Sequence, residues 1–342
     1  MAESAAPEAR LYERIEGGVI RCLICERGCV LKDGAAGICR NYVNDRGRLL
    51  HLGYGLVSAV ESRPIEVKPL FHYWPNSTAL TFSGYGCNFY CPWCQNSHLS
   101  FSNLPSGMRR IPSEKLVKQA VSGGDEGLCA SFNEPVTLFD YLLDLFDLGR
   151  KHGLYGVLVT NGYFTERALR MLLEVGVDGF SIDIKGCPSA RGALTSIEHS
   201  KVFRNAKLVL DTGGYVEMVY LVVTGFNDSE ECAEWIFEKH LECLGGHIPI
   251  HVNRYYPANF WSKSPTPLSR LLEFRDMALK MGIEYVYVGN VGIPELEATI
   301  CPKCGKRLIA RHLYRVTYYK LDGDKCPRCG HKITLRGRFI QK

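Results

Sequence analysis

The chemistry of this chain starts at three cysteines, Cys87, Cys91 and Cys94, a CxxxCxxC triplet within residues 81–100, TFSGYGCNFYCPWCQNSHLS. Three thiolates from one loop can ligate three irons of a 4Fe-4S cube and leave the fourth open, whereas an electron-transfer cluster takes four cysteines. An open iron can chelate a substrate or cofactor. The competing reading, a zinc knuckle, needs a fourth ligand close by, and His98 is the one candidate. Just before the triplet, residues 79–82 form a short β-like apolar run, and Gly84 and Gly86 let backbone approach a bulky group closely.

Two further cysteine sets have ligand spacing. Cys22, Cys25, Cys29 and Cys39 fall within eighteen residues and would hold a metal in a loop-rich knob. Separated CxxC knuckles are the usual zinc arrangement, while a compact CxxCxxxC triple also suits a cluster, so zinc and a second Fe-S cluster both stay open. Cys301, Cys304, Cys326 and Cys329 are two CxxC knuckles, each followed by glycine, the zinc-ribbon pattern for structural zinc. Cys129, Cys232 and Cys243 read as core. Cys187 reads as a small buried residue, with a thiol that quenches or relays a radical as the alternative.

The elements that position the triplet alternate between strand and helix. Helices are expected at 113–122 with Ser113 as cap, and at 141–152, 166–175, 228–243 and 269–280. Strands are expected at 128–132, 155–160, 179–184, 216–223, 248–253 and 285–288. A strand pair is expected within 47–60. Repeated βα units argue for a parallel barrel or wound sheet with its chemistry at the C-terminal strand ends. That rule separates two look-alikes. Gly123-Gly124-Asp125 lies between a helix and the next strand, on the wrong face, whereas Ser131-Phe132-Asn133-Glu134-Pro135 stands where that strand ends. Thr160-Asn161-Gly162-Tyr163 and Asp183-Ile184-Lys185 end the following strands, and His251 and Arg254 are placed in the same way on a later one. Phe71, His72, Tyr73 and Trp74 are assigned to core packing.

Taken together, GCNFYCPWCQN, the FNEP, TNGY and DIK turns, PIEVKPLFHYWP, LVVTGFNDSEE, HVNRYYP, YVYVGN and CPKCGKRLIAR resemble the radical S-adenosylmethionine (SAM) superfamily. Within it, the chain is similar to pyruvate formate-lyase activating enzyme and more closely to the AmmeMemoRadiSam-system radical SAM family, over about residues 20 to 340. The resemblance implies a partial (β/α) TIM-like barrel of about six units, with the Cys-rich N-terminal knob and C-terminal zinc ribbon added. It implies a 4Fe-4S cluster on Cys87, Cys91 and Cys94, with SAM bound at the open iron. Trp93, Gln95, Asn133, Glu134, Asn161, Asp183, Lys185 and His251 are then the SAM shell, Glu134 meeting the α-amino group. The chain departs from the family between Lys185 and Val216, where a Tyr-bearing stretch is missing and Cys187 stands instead.

Length and composition bound the rest. At 342 residues with 46% hydrophobic content, the chain suits one large domain with small appendages, drawn at 1–50, 51–298 and 299–342. No apolar run reaches a membrane span and the start has no signal-peptide pattern, so a cytoplasmic protein without membrane contact is expected. Its fifteen cysteines, in CxxC-type spacings, argue for metal ligation over disulfides. Residues 301–342 hold twelve Lys or Arg against two acids, a net charge of +10 within a chain of +5. Tyr314, Tyr318 and Tyr319 interleave there with Arg311, Arg315 and Lys320, an arrangement able to stack bases and meet phosphates. Three functions follow: a radical SAM enzyme acting on a protein, one modifying tRNA or other RNA through the basic ribbon, or a non-catalytic Fe-S and zinc carrier or scaffold. The enzyme readings require a low-potential electron donor.

Overall fold

The structure, a computed structural model, describes residues 6–190, 192, 194 and 196–342. It divides into two compact units, Met1–Ser62 with Ala79–Asp178, and Arg63–Thr78 with Gly179–Lys342.

In the first unit, the cysteine-rich start forms an antiparallel sheet of β1 (Tyr12–Arg14), β2 (Ile20–Cys22) and β3 (Val30–Leu31). A hairpin of β4 (Tyr42–Asp45) and β5 (Arg48–His51) follows, and β6 (Ala59–Pro64) runs to the unit boundary. Next comes β7 (Thr78–Ser83), nearly all buried, as expected of a parallel strand covered on both faces. It pairs in parallel with β8 (Gly127–Ala130), and β8 with β9 (Tyr155–Thr160). The short α1 (Ser97–Ser100) and then α2 (Ser113–Gly123) link β7 to β8, while α3 (Phe139–Lys151) links β8 to β9 and α4 (Glu166–Glu174) follows. Ser113 is the first helical residue rather than the cap: Pro112 caps without a side-chain bond, and Gly124 closes the helix at φ +72°. Thr165 does cap α4, accepting from the Ala168 N–H at 3.2 Å.

The second unit repeats the alternation. Strands β10 (Val177–Ile184), β11 (Tyr215–Val222), β12 (Ile250–Arg254) and β13 (Val286–Gly289) are parallel neighbours. They are linked by α5 (His199–Asp211), α6 (Glu230–Leu244) and α7 (Leu268–Met281). The chain is α/β with parallel-strand sheet in both units. A small antiparallel sheet of β14 (Thr299–Ile300), β15 (Arg307–His312) and β16 (Arg315–Tyr319) carries the last cysteines. Among the described residues, no helix is long and apolar enough to cross a membrane.

Arg311 does not line a surface as expected. It is 1% exposed, its guanidinium 4.2 Å from the Phe71 ring centroid, and it donates to the Phe71 and Glu297 carbonyls and to Thr299. A buried guanidinium is tolerable only with such a set of acceptors. Phe71, His72 and Tyr73 are core, as assigned.

Two cysteines read as small buried or core residues are buried as expected but are not free thiols, against the chain-wide preference for metal ligation over disulfides. Cys187 and Cys232, both 1% exposed, form a disulfide across 45 residues, so Cys187 is not a free thiol. Closing a loop of that length stabilises the fold by about 4 kcal/mol in the chain-entropy account. Cys187→Ser or Cys232→Ser is expected to lower the melting temperature of the oxidised protein by several degrees. Under a strong thiol reductant, variant and wild type should melt together; a persistent gap would mean the thiols matter only as packing.

Two buried histidines make the fold acid-sensitive. Burial pushes His72 and His240 down to about 4. Each therefore stays neutral in the folded chain while its unfolded counterpart takes a proton below about pH 6.5, so stability is intact above that value and lost as pH falls toward 4. The loss is about 3 kcal/mol per histidine by pH 4. The urea midpoint should fall steadily between about pH 7 and about pH 4.5, and a flat midpoint there would refute the assignment.

Candidate active site

In the first unit the cysteine loop leaves β7 through two glycines in close quarters, the second of which no residue with a Cβ could replace. A Cβ at Gly84 would lie 2.8 Å from the Leu138 side chain, and at Gly86, with φ +79°, 2.3 Å from the Cys39 carbonyl oxygen. The loop then presents Cys87, Cys91 and Cys94 and ends in α1. The Phe89 N–H points at the Cys87 sulfur at 3.4 Å, and the Cys94 sulfur lies 3.6 Å from Ser100 Oγ. Burial, with Glu134 and the neighbouring thiols adding to it, pushes the Cys87 thiol well up. A cation at these sulfurs would displace the proton.

Two strand ends clamp this loop. After β8, Phe132 takes φ +70°, a left-handed conformation unfavourable for a residue with Cβ. Its carbonyl accepts from Asn96 Nδ2 at 2.6 Å, which ties the turn to the cysteine loop. The turn delivers Asn133, whose Oδ1 accepts from the Gly84 N–H at 3.1 Å and whose Nδ2 donates to the Gly86 carbonyl at 2.8 Å. Glu134 follows, 4% exposed. One of its oxygens accepts from Thr160 Oγ1 at 2.7 Å and the Val136 N–H at 3.1 Å, the other from the Asn161 N–H at 2.8 Å. Three donors fix this carboxylate, and its remaining lone pairs suit a cation. Asn161, at the end of β9, donates through Nδ2 to Asn88 Oδ1 at 2.7 Å, and Asn88 Oδ1 lies 3.9 Å from the Cys87 sulfur. Cys87, Asn133, Glu134 and Asn161 are thus brought into one hydrogen-bonded web. Trp93, on the same loop, is buried, and Gln95 is exposed.

The look-alike at Gly123-Gly124-Asp125 lies where α2 ends, before β8 begins, and Asp125 accepts from Ser62 Oγ at 2.6 Å. Sequence reading missed Asn88 and Asn96. The available signal was an amide within an otherwise Cys- and aromatic-rich loop, where a buried polar group needs a partner.

In the second unit, Asp183 and Lys185 pair with each other at 2.9 Å where β10 ends, which satisfies the need for a partner at that strand end. His251 does not stand at a C-terminal strand end as expected. It is the second residue of β12, with Nε2 2.7 Å from Glu217 and its ring stacked on Tyr287 at 5.1 Å. Burial pushes the Glu217 carboxyl up, but the hydrogen bonds from His251 and from the His72 backbone N–H outweigh this and hold it below the usual range. His72 completes the cluster, its N–H on Glu217 at 2.7 Å and its Nε2 2.6 Å from Tyr287 Oη. Within the same unit, Cys301 lies 3.6 Å from Cys329 and Cys304 3.6 Å from Cys326. Among the described residues, these four form the group whose ligand atoms all lie within 4.8 Å of one another.

Residues 81–236 match the Radical SAM superfamily. A relative from Methanocaldococcus jannaschii, an uncharacterized protein, is 34% identical over 317 residues, which cover 92% of this chain and 94% of that one. The chain belongs to the radical SAM superfamily. It is an enzyme of that class, similar to pyruvate formate-lyase 1-activating enzyme of Escherichia coli at 26% identity over 164 residues, 45% of this chain and 64% of that protein. A putative glycyl-radical enzyme activating enzyme of M. jannaschii is 28% identical over 232 residues, 63% of this chain and 80% of its own.

Radical SAM membership implies a 4Fe-4S cluster and SAM, and the donors fit both. A single tetrahedral ion at about 2.3 Å would draw its thiolates to about 3.8 Å from one another. The sulfurs of Cys87, Cys91 and Cys94 do not all fall within 4.8 Å, a spread that suits thiolates on separate irons. Glu134 offers SAM's ammonium a buried carboxylate held in place beforehand.

Proposed function

We propose that this radical SAM enzyme ligates a 4Fe-4S cluster through Cys87, Cys91 and Cys94, binds SAM at the open iron, and abstracts hydrogen from a protein substrate. The observation that carries the reading is the thiol triplet tied to Glu134 through Asn133, Asn161 and Asn88. Cluster and SAM, when bound and given one electron by a low-potential donor, would supply reductive cleavage of the sulfonium C–S bond into methionine and a 5′-deoxyadenosyl radical. The chain's own task is positioning and exclusion of water. Glu134 holds the SAM ammonium, its carboxylate oriented by Thr160 and the Asn161 N–H. Asn133 fixes the approach of the loop through Gly84 and Gly86. Trp93 and Gln95, on the cysteine loop, extend the SAM shell; Asp183 and Lys185 are assigned to SAM on the family resemblance alone, and His251, bonded to Glu217, is a structural group.

Cys301, Cys304, Cys326 and Cys329 take structural zinc in this reading. Their 3.6 Å sulfur pairs match the about 3.8 Å of a tetrahedral site with 2.3 Å bonds. A protein substrate is preferred to RNA for two reasons. The names of two relatives are those of protein-activating enzymes. Of the tail's basic and aromatic residues, Arg311 is buried and so withdrawn from bases and phosphates.

Titration of the dithionite-reduced, reconstituted protein with SAM, followed by electron paramagnetic resonance, tests the open iron. The cluster signal is expected to change shape and saturate with SAM. A signal indifferent to SAM would replace the enzyme reading with a carrier or scaffold.

A further inference from the structure

The N-terminal cysteines form a second site within the first unit. Cys22, Cys25, Cys29 and Cys39 line one cavity, closed by Asn88 and Val136 among others. A Cβ at Gly37 would lie 3.8 Å from the Cys29 sulfur and 4.0 Å from the Cys39 sulfur, so this glycine leaves the room in front of two thiols. The sulfurs do not meet the 4.8 Å limit that the C-terminal four satisfy, even three at a time. One tetrahedral ion would need them about 3.8 Å apart. A cube spreads four thiolates over four separate irons and suits a wider set.

A separate observation points to a ligand in the same cavity. Asn88 is fully buried; its Oδ1 is held by Asn161, while its Nδ2 finds no acceptor at ordinary hydrogen-bond distance and is turned toward the Cys25 sulfur. A protonated thiol is a poor acceptor, so this buried N–H is left under-bonded, and cluster sulfurs are acceptors of the kind that amides bond in iron–sulfur proteins.

We propose that Cys22, Cys25, Cys29 and Cys39 hold a second, fully ligated iron–sulfur cluster, with Asn88 donating to its sulfurs. With four thiolates, this centre has no open iron and serves as a one-electron carrier rather than a substrate site. It lies against the loop that carries the first triplet. Asn88 follows Cys87 directly, Arg27 Nε donates to the Asn88 carbonyl at 2.8 Å, and Asn41 Nδ2 donates both to the Cys39 carbonyl at 2.9 Å and to the Tyr85 carbonyl at 2.8 Å. The electron source is a low-potential one-electron donor of the ferredoxin or flavodoxin class.

The test is metal and acid-labile sulfide content of the full chain after anaerobic reconstitution and desalting. Wild type is expected to hold about eight iron and eight sulfide, and the Cys87→Ala/Cys91→Ala/Cys94→Ala variant about half of each, with a reduced-state resonance signal that ignores SAM. In that variant, Asn88→Ala should make the reduction potential more negative, because a donor to the cluster sulfur favours the reduced form. About four iron with two zinc in wild type, or an iron-free triple variant, would overturn the proposal. The triple variant reports on the N-terminal site whether or not the first triplet binds SAM, so the two readings fail separately.

Discussion

Cys91→Ala is expected to reduce 5′-deoxyadenosine formation to the assay background, and Cys87→Ala and Cys94→Ala to do the same. The size of the effect follows from the ligand count, since a cube held through three thiolates loses its site when one is removed. The loss should be chemical rather than conformational. Any metal held by the four C-terminal cysteines should stay at the wild-type level, because they lie in the other compact unit. Retention of the 5′-deoxyadenosine rate in any of the three variants would contradict the assignment.

Glu134→Gln should produce the next largest effect, a loss of SAM affinity of about 10- to 100-fold, the value of a charge-assisted hydrogen bond at about 1.5–3 kcal/mol. The substitution keeps volume but turns an amide NH2 toward either the Asn161 N–H or the Thr160 and Val136 donors. A donor left facing a donor costs about 1–3 kcal/mol of stability, so a modest fall in melting temperature should accompany the loss of affinity. Iron content should be preserved, because Glu134 is not a ligand in this account. Asp125→Asn is the control. It alters the look-alike at the end of α2 and should leave the dissociation constant for SAM unchanged. If Asp125→Asn weakened SAM and Glu134→Gln did not, the face assignment would be inverted.

What the sequence made legible was whatever depends on neighbours in the chain. The strand runs before Glu134 and Asn161 are nearly continuous and apolar because parallel strands are covered on both faces. That pattern was enough to set Glu134 apart from Asp125 before any coordinates. Helix α5 was missed in the sequence, although Val202, Phe203, Ala206 and Val209 follow helical spacing.

What the sequence hid depends on distant partners. Cys187 and Cys232 are 45 residues apart, and nothing local distinguishes a disulfide half from a small core residue. Arg311 looks like one more cation in a basic tail until Phe71, 240 residues earlier, supplies a ring and a carbonyl. His251 lies in a strand whose C-terminal end attracts attention, yet Glu217 and Tyr287 on the flanking strands claim it. Asn88 carries no local signal between its cysteines, and its significance appears only when Asn161 takes one end of the amide and the N-terminal cavity receives the other.

The most direct test of the central claim is quantification of 5′-deoxyadenosine from anaerobically reconstituted, dithionite-reduced protein supplied with SAM, run beside Cys91→Ala. The account predicts product formation from the wild type and none above background from the variant. A wild-type protein that assembles its iron–sulfur content yet releases no 5′-deoxyadenosine, or a variant that matches it, would contradict the claim.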